Sequence, residues 1–119
     1  MDVINIKEKL GLFSDTWTPK IIANVDNHMV YLAKLDGDFI WHKHDDTDEM
    51  FLVIEGTLHL EFRDKEVTLE PGEMIVVPKG VEHRPHTSEG ASVMIFEDAG
   101  TDHTGGVESD LRKENHDRI

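Results

Sequence analysis

The chain has 119 residues, 38% hydrophobic and 31% charged, a composition that suits one globular domain and excludes disordered, collagenous and membrane-spanning classes. Cysteine is absent, so disulfide scaffolds, thiolate metal sites and cysteine nucleophiles are excluded, and any metal must be held by His, Asp or Glu. The net charge of -13 repels phosphate backbones and anionic lipid, so neither nucleic acid nor a membrane is an expected partner.

Met1 to Phe13 carries Asp2, Lys7, Glu8 and Lys9 among its apolar residues, which fits neither a signal peptide nor a membrane span, and a cytoplasmic location is expected. Within it, Val3 to Leu12 has helical spacing of apolar residues, and Asn5 is placed to cap a short helix. After Thr18-Pro19 the texture changes to short runs bounded by turn residues. Strands are predicted at about Lys20–Val25, Val30–Lys34, Phe39–Lys43, Met50–Glu55, Thr57–Arg63, Glu66–Glu70, Met74–Val77, Glu82–Thr87 and Ala91–Glu97. Turns are predicted between them, among others at Asp36-Gly37, Glu55-Gly56, Pro71-Gly72, Pro78-Lys79-Gly80 and Glu89-Gly90. This spacing predicts an all-β sandwich or barrel. The polar tail from Thr101 to Ile119 is expected to be loose or to hold a short helix at Ser109–His116.

Side chains alternate across a strand, so His42 and His44 share a face and their imidazoles converge. Glu49 follows the polar stretch Asp45-Asp46-Thr47-Asp48, which suits a turn bringing the chain back beside both histidines. The run from Met50 to Ile54 is apolar at both parities, so Glu49 opens a buried strand and needs a partner for its charge. A cation held by neutral His and Glu supplies that partner. A second strand-turn-strand unit around Met74 to Val77 is punctuated by Gly72, Pro78 and Gly80, and His83 enters the next strand from its turn.

Gly37, His42-Lys43-His44, Glu49 and Gly56 resemble the first motif of the cupin superfamily, G(X)5HXH(X)3-4E(X)6G, with Gly37 one residue closer to His42 than the pattern has it. Gly72, Pro78, Gly80 and His83 are similar to the second, G(X)5PXG(X)2H(X)3N, where Thr87 stands in place of the Asn. The resemblance implies a double-stranded β-helix, a jelly-roll β-barrel, over about residues 20 to 100 of a single domain spanning 1–119, with a short N-terminal helix and the tail 101–119 outside it. It implies one divalent metal held by His42, His44, Glu49 and His83, and pairing as a homodimer. Three imidazoles and one carboxylate without thiolate suit Fe, Mn, Zn, Ni, Co or Cu and suit Mg or Ca badly.

Ile40, Phe51 and Val53 share parity with the neighbouring candidate ligands and are expected to line an apolar pocket for a small-molecule ligand. No inward-facing base is evident beside the four. His86 lies three residues beyond His83 and so faces outward on an extended strand, and His59 shares its face with Glu61 and Arg63. His28, His103 and His116 lie in polar loops or the tail and receive no role. The expected activity is that of a metal-dependent enzyme, of dioxygenase or isomerase type, acting on a small polar metabolite; the alternative is a non-catalytic module that binds a sugar or carboxylic acid.

Overall fold

The structure, a computed structural model, describes residues 1–113 and 115–119. Helix α1 (Ile6–Leu10) starts where Asn5 Oδ1 accepts the Glu8 N–H at 3.0 Å, the capping that its sequence predicts. Seven strands follow: β1 (Lys20–Val25), β2 (His28–Asp38), β3 (Glu49–Gly56), β4 (Leu58–Phe62), β5 (Glu66–Leu69), β6 (Met74–Val77) and β7 (His83–Asp98). Among the described residues no helix is long and apolar enough to cross a membrane.

All pairings between these strands are antiparallel, in the order β1-β2-β7-β3-β6, with β4 joining β5 to the first part of β7. Strand β7 therefore belongs to both halves: His83–His86 pair with β4, and Ala91–Phe96 lie between β2 and β3. The halves curl into a jelly-roll barrel whose interior takes Tyr31, Ala33, Phe51, Val53 and Val93 from one side and Leu58, Leu60 and Leu69 from the other. Leu58, Leu60 and Val93 have no exposed surface, and burying each contributes roughly 1.5–3 kcal/mol. A second cluster on the outer face joins Leu10 of α1 to Ile22, Leu32 and Ile54, so β3 is covered on both sides, as its apolar run requires.

Two predicted turns prove to be irregularities within longer strands. Asp36-Gly37 does not reverse the chain; β2 runs through it with a shift of register against β7. Glu89-Gly90 likewise lies inside β7, within the same shift of register, and the backbone of Gly56 packs directly on it. A Cβ at Gly56 would stand 2.2 Å from the Gly90 carbonyl oxygen, and its φ of 78° already favours glycine. The strand predicted at Phe39–Lys43 is absent for a local reason. The Phe39 N–H reaches Pro85 O at 2.9 Å, but Pro85 has no N–H to return the bond, and the ladder lapses until a single bridge at His42 and His83. The described part of Ser109–His116 contains no helix, and Glu114 lies outside the described residues.

Candidate metal centre

The four residues singled out from the sequence come together in the barrel. One nitrogen or oxygen from each of His42, His44, Glu49 and His83 lies within 4.8 Å of the others, and all four residues are buried. Backbone bonds set this up. His42 and His83 exchange both N–H···O bonds, at 3.0 and 2.9 Å, which puts their rings side by side with centroids 4.3 Å apart. The Pro78–Gly80 turn is stapled to the same loop: the Gly80 N–H donates to His44 O at 2.8 Å and the Lys79 N–H to Asp48 Oδ1 at 2.9 Å. The second punctuated unit is thereby held against the first, and Glu49 enters from β3 opposite Val77.

The hydrogen bonds also fix which ring nitrogens face inward. His42 Nδ1 lies 2.9 Å from Ile40 O and His83 Nδ1 lies 2.9 Å from Val81 O. A carbonyl only accepts, so each Nδ1 carries its proton, and each neutral ring turns a bare Nε2 elsewhere. For His83 that Nε2 sits 3.1 Å from Glu49 Oε1, and His44 Nε2 sits 3.4 Å from the same oxygen without meeting hydrogen-bond geometry. Lone pairs facing a carboxylate in a dry interior repel unless a cation, either a proton or a metal, stands between them.

Electrostatics agree with that geometry. Burial alone pushes the Glu49 carboxyl up, but the His44 and His83 rings beside it, once they carry a positive charge or give way to a cation, hold it below the ordinary carboxylate range. Burial and then the neighbouring His83 push His42 down to about 4. A fifth group, absent from the sequence expectations, joins them. Glu97 is 3% exposed, its Oε2 has no hydrogen-bond partner, and burial followed by the charge of Glu49 pushes its carboxyl up to about 10. Burial, then Glu97 and Glu49, push Tyr31 up to about 12. Beside the four thus stands a buried carboxyl that the sequence expectations lack, and because it keeps its proton at neutral pH it is an acid there and not a base. The signal for Glu97 was present: it shares parity with Val93 and Ile95 on β7, and all three are buried.

Beside the cluster is a cavity of about 30 Å³, walled by Trp17, Phe39, His42, Glu49, Phe51 and His103 among others. Of the three residues expected to line a pocket, Phe51 stands on this wall, Val53 lies in the barrel core, and Ile40 packs half-buried against that core. His103 is the other residue the sequence did not reveal; the tail folds back and buries it. On the outer face, His86 contacts Glu66 and lies 3.4 Å from Glu61, with its ring stacked on His59 at 4.9 Å. Both histidines thus lie on the outward face that their parity predicts.

The cupin-domain profile matches residues 28–97, more than half of the chain. A solved cupin-2 domain protein from Shewanella frigidimarina is 49% identical, with a TM-score of 0.80 over 81% of this chain and 94% of that one. A solved protein from Neisseria meningitidis is 37% identical, with a TM-score of 0.76 over 82% of this chain and all of that one. The uncharacterized protein YdbB of Bacillus subtilis is 41% identical over 80 residues, which are 66% of this chain and 65% of that relative. Profile, relatives and barrel agree: the chain belongs to the cupin family.

Proposed function

We propose that the chain is a metal-dependent enzyme acting on a small polar metabolite, with His42, His44, Glu49 and His83 holding one divalent transition metal. The supporting observation is the fixed tautomer of His83, whose Nδ1–H is used by Val81 O so that its lone pair faces Glu49 Oε1 at 3.1 Å. The unpartnered His44 Nε2 fits the same group. Three imidazoles and one carboxylate suit iron, manganese, cobalt, nickel, copper or zinc. Such a metal supplies Lewis acidity to a chelated hydroxy-carbonyl group or, as ferrous iron, a site for oxygen chemistry.

The chain's own residues do the rest. Phe51 and Phe39 keep the wall beside the cluster apolar and exclude water. Glu97, held protonated, adds no second negative charge beside Glu49. The negative net charge disfavours a phosphorylated substrate. Reconstituting the purified chain with iron, then separately with zinc, manganese and nickel, tests the reading. Oxygen uptake with chelating diols or diketones, or isomerisation of hydroxy-carbonyl compounds, is the expected result. Tight binding of a sugar or carboxylic acid without turnover under every metal would replace it with the binding-module reading.

A further inference from the structure

We infer that the C-terminal segment 102–112 is a lid on the candidate metal centre, opening as one body to admit metal and metabolite. The need for an opening follows from the site itself. His42, His44, Glu49 and His83 are each no more than 6% exposed, and the cavity beside them, of about 30 Å³, has room for one water-sized group. A metabolite that chelates the metal must therefore displace part of the wall. Most of that wall is fixed: Ala33, Leu35, Phe51 and Ile95 sit in the ladders of β2, β3 and β7, and Trp17 is bonded to β2 through its backbone N–H at 2.9 Å and its indole N–H at 2.8 Å. His103 is the wall residue that the C-terminal segment supplies.

The bonding of the segment sets it apart. Among the described residues, its backbone bonds close on the segment itself: the Gly105 N–H donates to Asp102 O at 2.9 Å, the Val107 N–H to Thr104 O at 3.2 Å and the Arg112 N–H to Ser109 O at 3.1 Å. Its side chains do the same. Asp102 accepts from the Thr104 N–H at 3.0 Å and hydroxyl at 2.8 Å and pairs with Arg112 Nε at 3.0 Å, while His103 Nε2 donates to Leu111 O at 2.9 Å. Toward the barrel the segment offers packing instead. The His103 ring stacks on Phe39 with centroids 5.8 Å apart, Leu111 packs on the core, and a Cβ at Gly105 would stand 2.0 Å from the carbonyl oxygen of Lys43, the residue between His42 and His44. The flanks, by contrast, are tied to strands: the Ala99 N–H donates to Asn27 O at 2.9 Å, and beyond the segment the Ile21 N–H donates to Asp117 O at 2.8 Å. A loop bonded to itself, tethered on both sides and resting on the barrel by packing alone lifts without breaking a ladder.

The inference rests on the metal reading for what the lid covers, and the test reads the lid without metal. Diethyl pyrocarbonate modifies the neutral imidazoles it can reach, and mass spectrometry of the metal-free full chain gives a rate for each histidine. Gly105→Ala cannot seat against Lys43 O, and Arg112→Ala removes the ion pair that closes the loop on Asp102. Gly105→Ala is expected to speed modification of His42 and His44 about tenfold and Arg112→Ala about two- to fivefold, with the outward-facing His59 and His86 unchanged in both. Hydrogen exchange of the wild-type chain should show the Gly105, Val107 and Arg112 amides opening together, and well before those of Val53 and Val93. Unchanged rates at His42 and His44 in both variants, equal acceleration at His59 and His86, or exchange of the segment only together with the strands overturns the inference. Zinc that fails to protect His42 and His44 in the wild-type chain would sink the metal reading, while the metal-free rates still judge the lid.

Discussion

Strand β7 carries two histidine–carboxylate clusters three residues apart, and they differ in almost everything except composition. His83 faces inward to Glu49, while His86 faces outward to Glu61 and Glu66. Inside, ring tautomers are set by backbone carbonyls, the carboxylate is shut away from water, and two imidazole nitrogens meet one oxygen. Outside, Glu61 is already matched by the Arg84 guanidinium at 2.5 Å, and water reaches the whole group. Burial and prior commitment of Nδ1 separate a site that demands a cation from a surface that merely tolerates one.

The largest effect should come from breaking the inner cluster. His83→Ala is expected to abolish metal retention and lower the melting temperature of the metal-loaded chain, because it removes a ligand and leaves Glu49 buried beside fewer partners. Calorimetry with and without chelator checks this, since a chelator should lower the wild-type melting temperature and leave the variant unchanged. Metal should also leave as pH falls toward and below about 6, where imidazoles take up protons.

Glu97 gives the next largest effect, and its sign is opposite to that of an ion-paired carboxylate. Its folded pKa of about 10 exceeds the ordinary 4.5, so across that window the folded chain binds more protons than the unfolded one. Stability of the metal-free chain therefore falls as pH rises. His42, depressed from 6.5 to about 4, works the other way, losing stability as pH drops through that lower range. Above pH 6.5 Glu97 acts without this opposition, and Glu97→Gln should flatten the alkaline decline in urea-unfolding free energy between neutrality and pH 9. An unchanged slope in the variant would remove Glu97 from the account.

Smaller effects sharpen the same contrast. Asp48→Ala removes the acceptor for the Lys79 N–H that staples the Pro78–Gly80 turn, and about 1 kcal/mol of stability with part of the metal affinity should go with it. His86→Ala on the outer cluster should change unfolding free energy by no more than about 1 kcal/mol and leave the metal content untouched.

Much of this is legible in the sequence itself. Strict period-2 geometry puts His42 and His44 on one face and sends His86 outward, and it depends on no distant contact. Charge accounting at Glu49 needs only the apolar run that follows it. What escaped depends on partners far along the chain. Whether Asp36-Gly37 and Glu89-Gly90 reverse or bend the backbone is decided by which strands pair on either side, and local turn chemistry is the same in both cases. The parity of Glu97 is visible, but a carboxylate at a strand end reads as solvated until Glu49 is known to lie beside it. His103 left no signal at all: its burial follows from the tail folding onto Phe39 and Lys43, contacts that no periodicity in a polar, glycine-containing segment encodes.

The central claim, that the inner cluster holds a cation and the outer one does not, is tested most directly by elemental analysis. The chain should be purified without added metal or a histidine tag, alongside its His83→Ala and His86→Ala variants. About one transition-metal ion per chain, kept in His86→Ala and lost in His83→Ala, is the expected result. Metal retained in His83→Ala, or lost in His86→Ala alone, would contradict it.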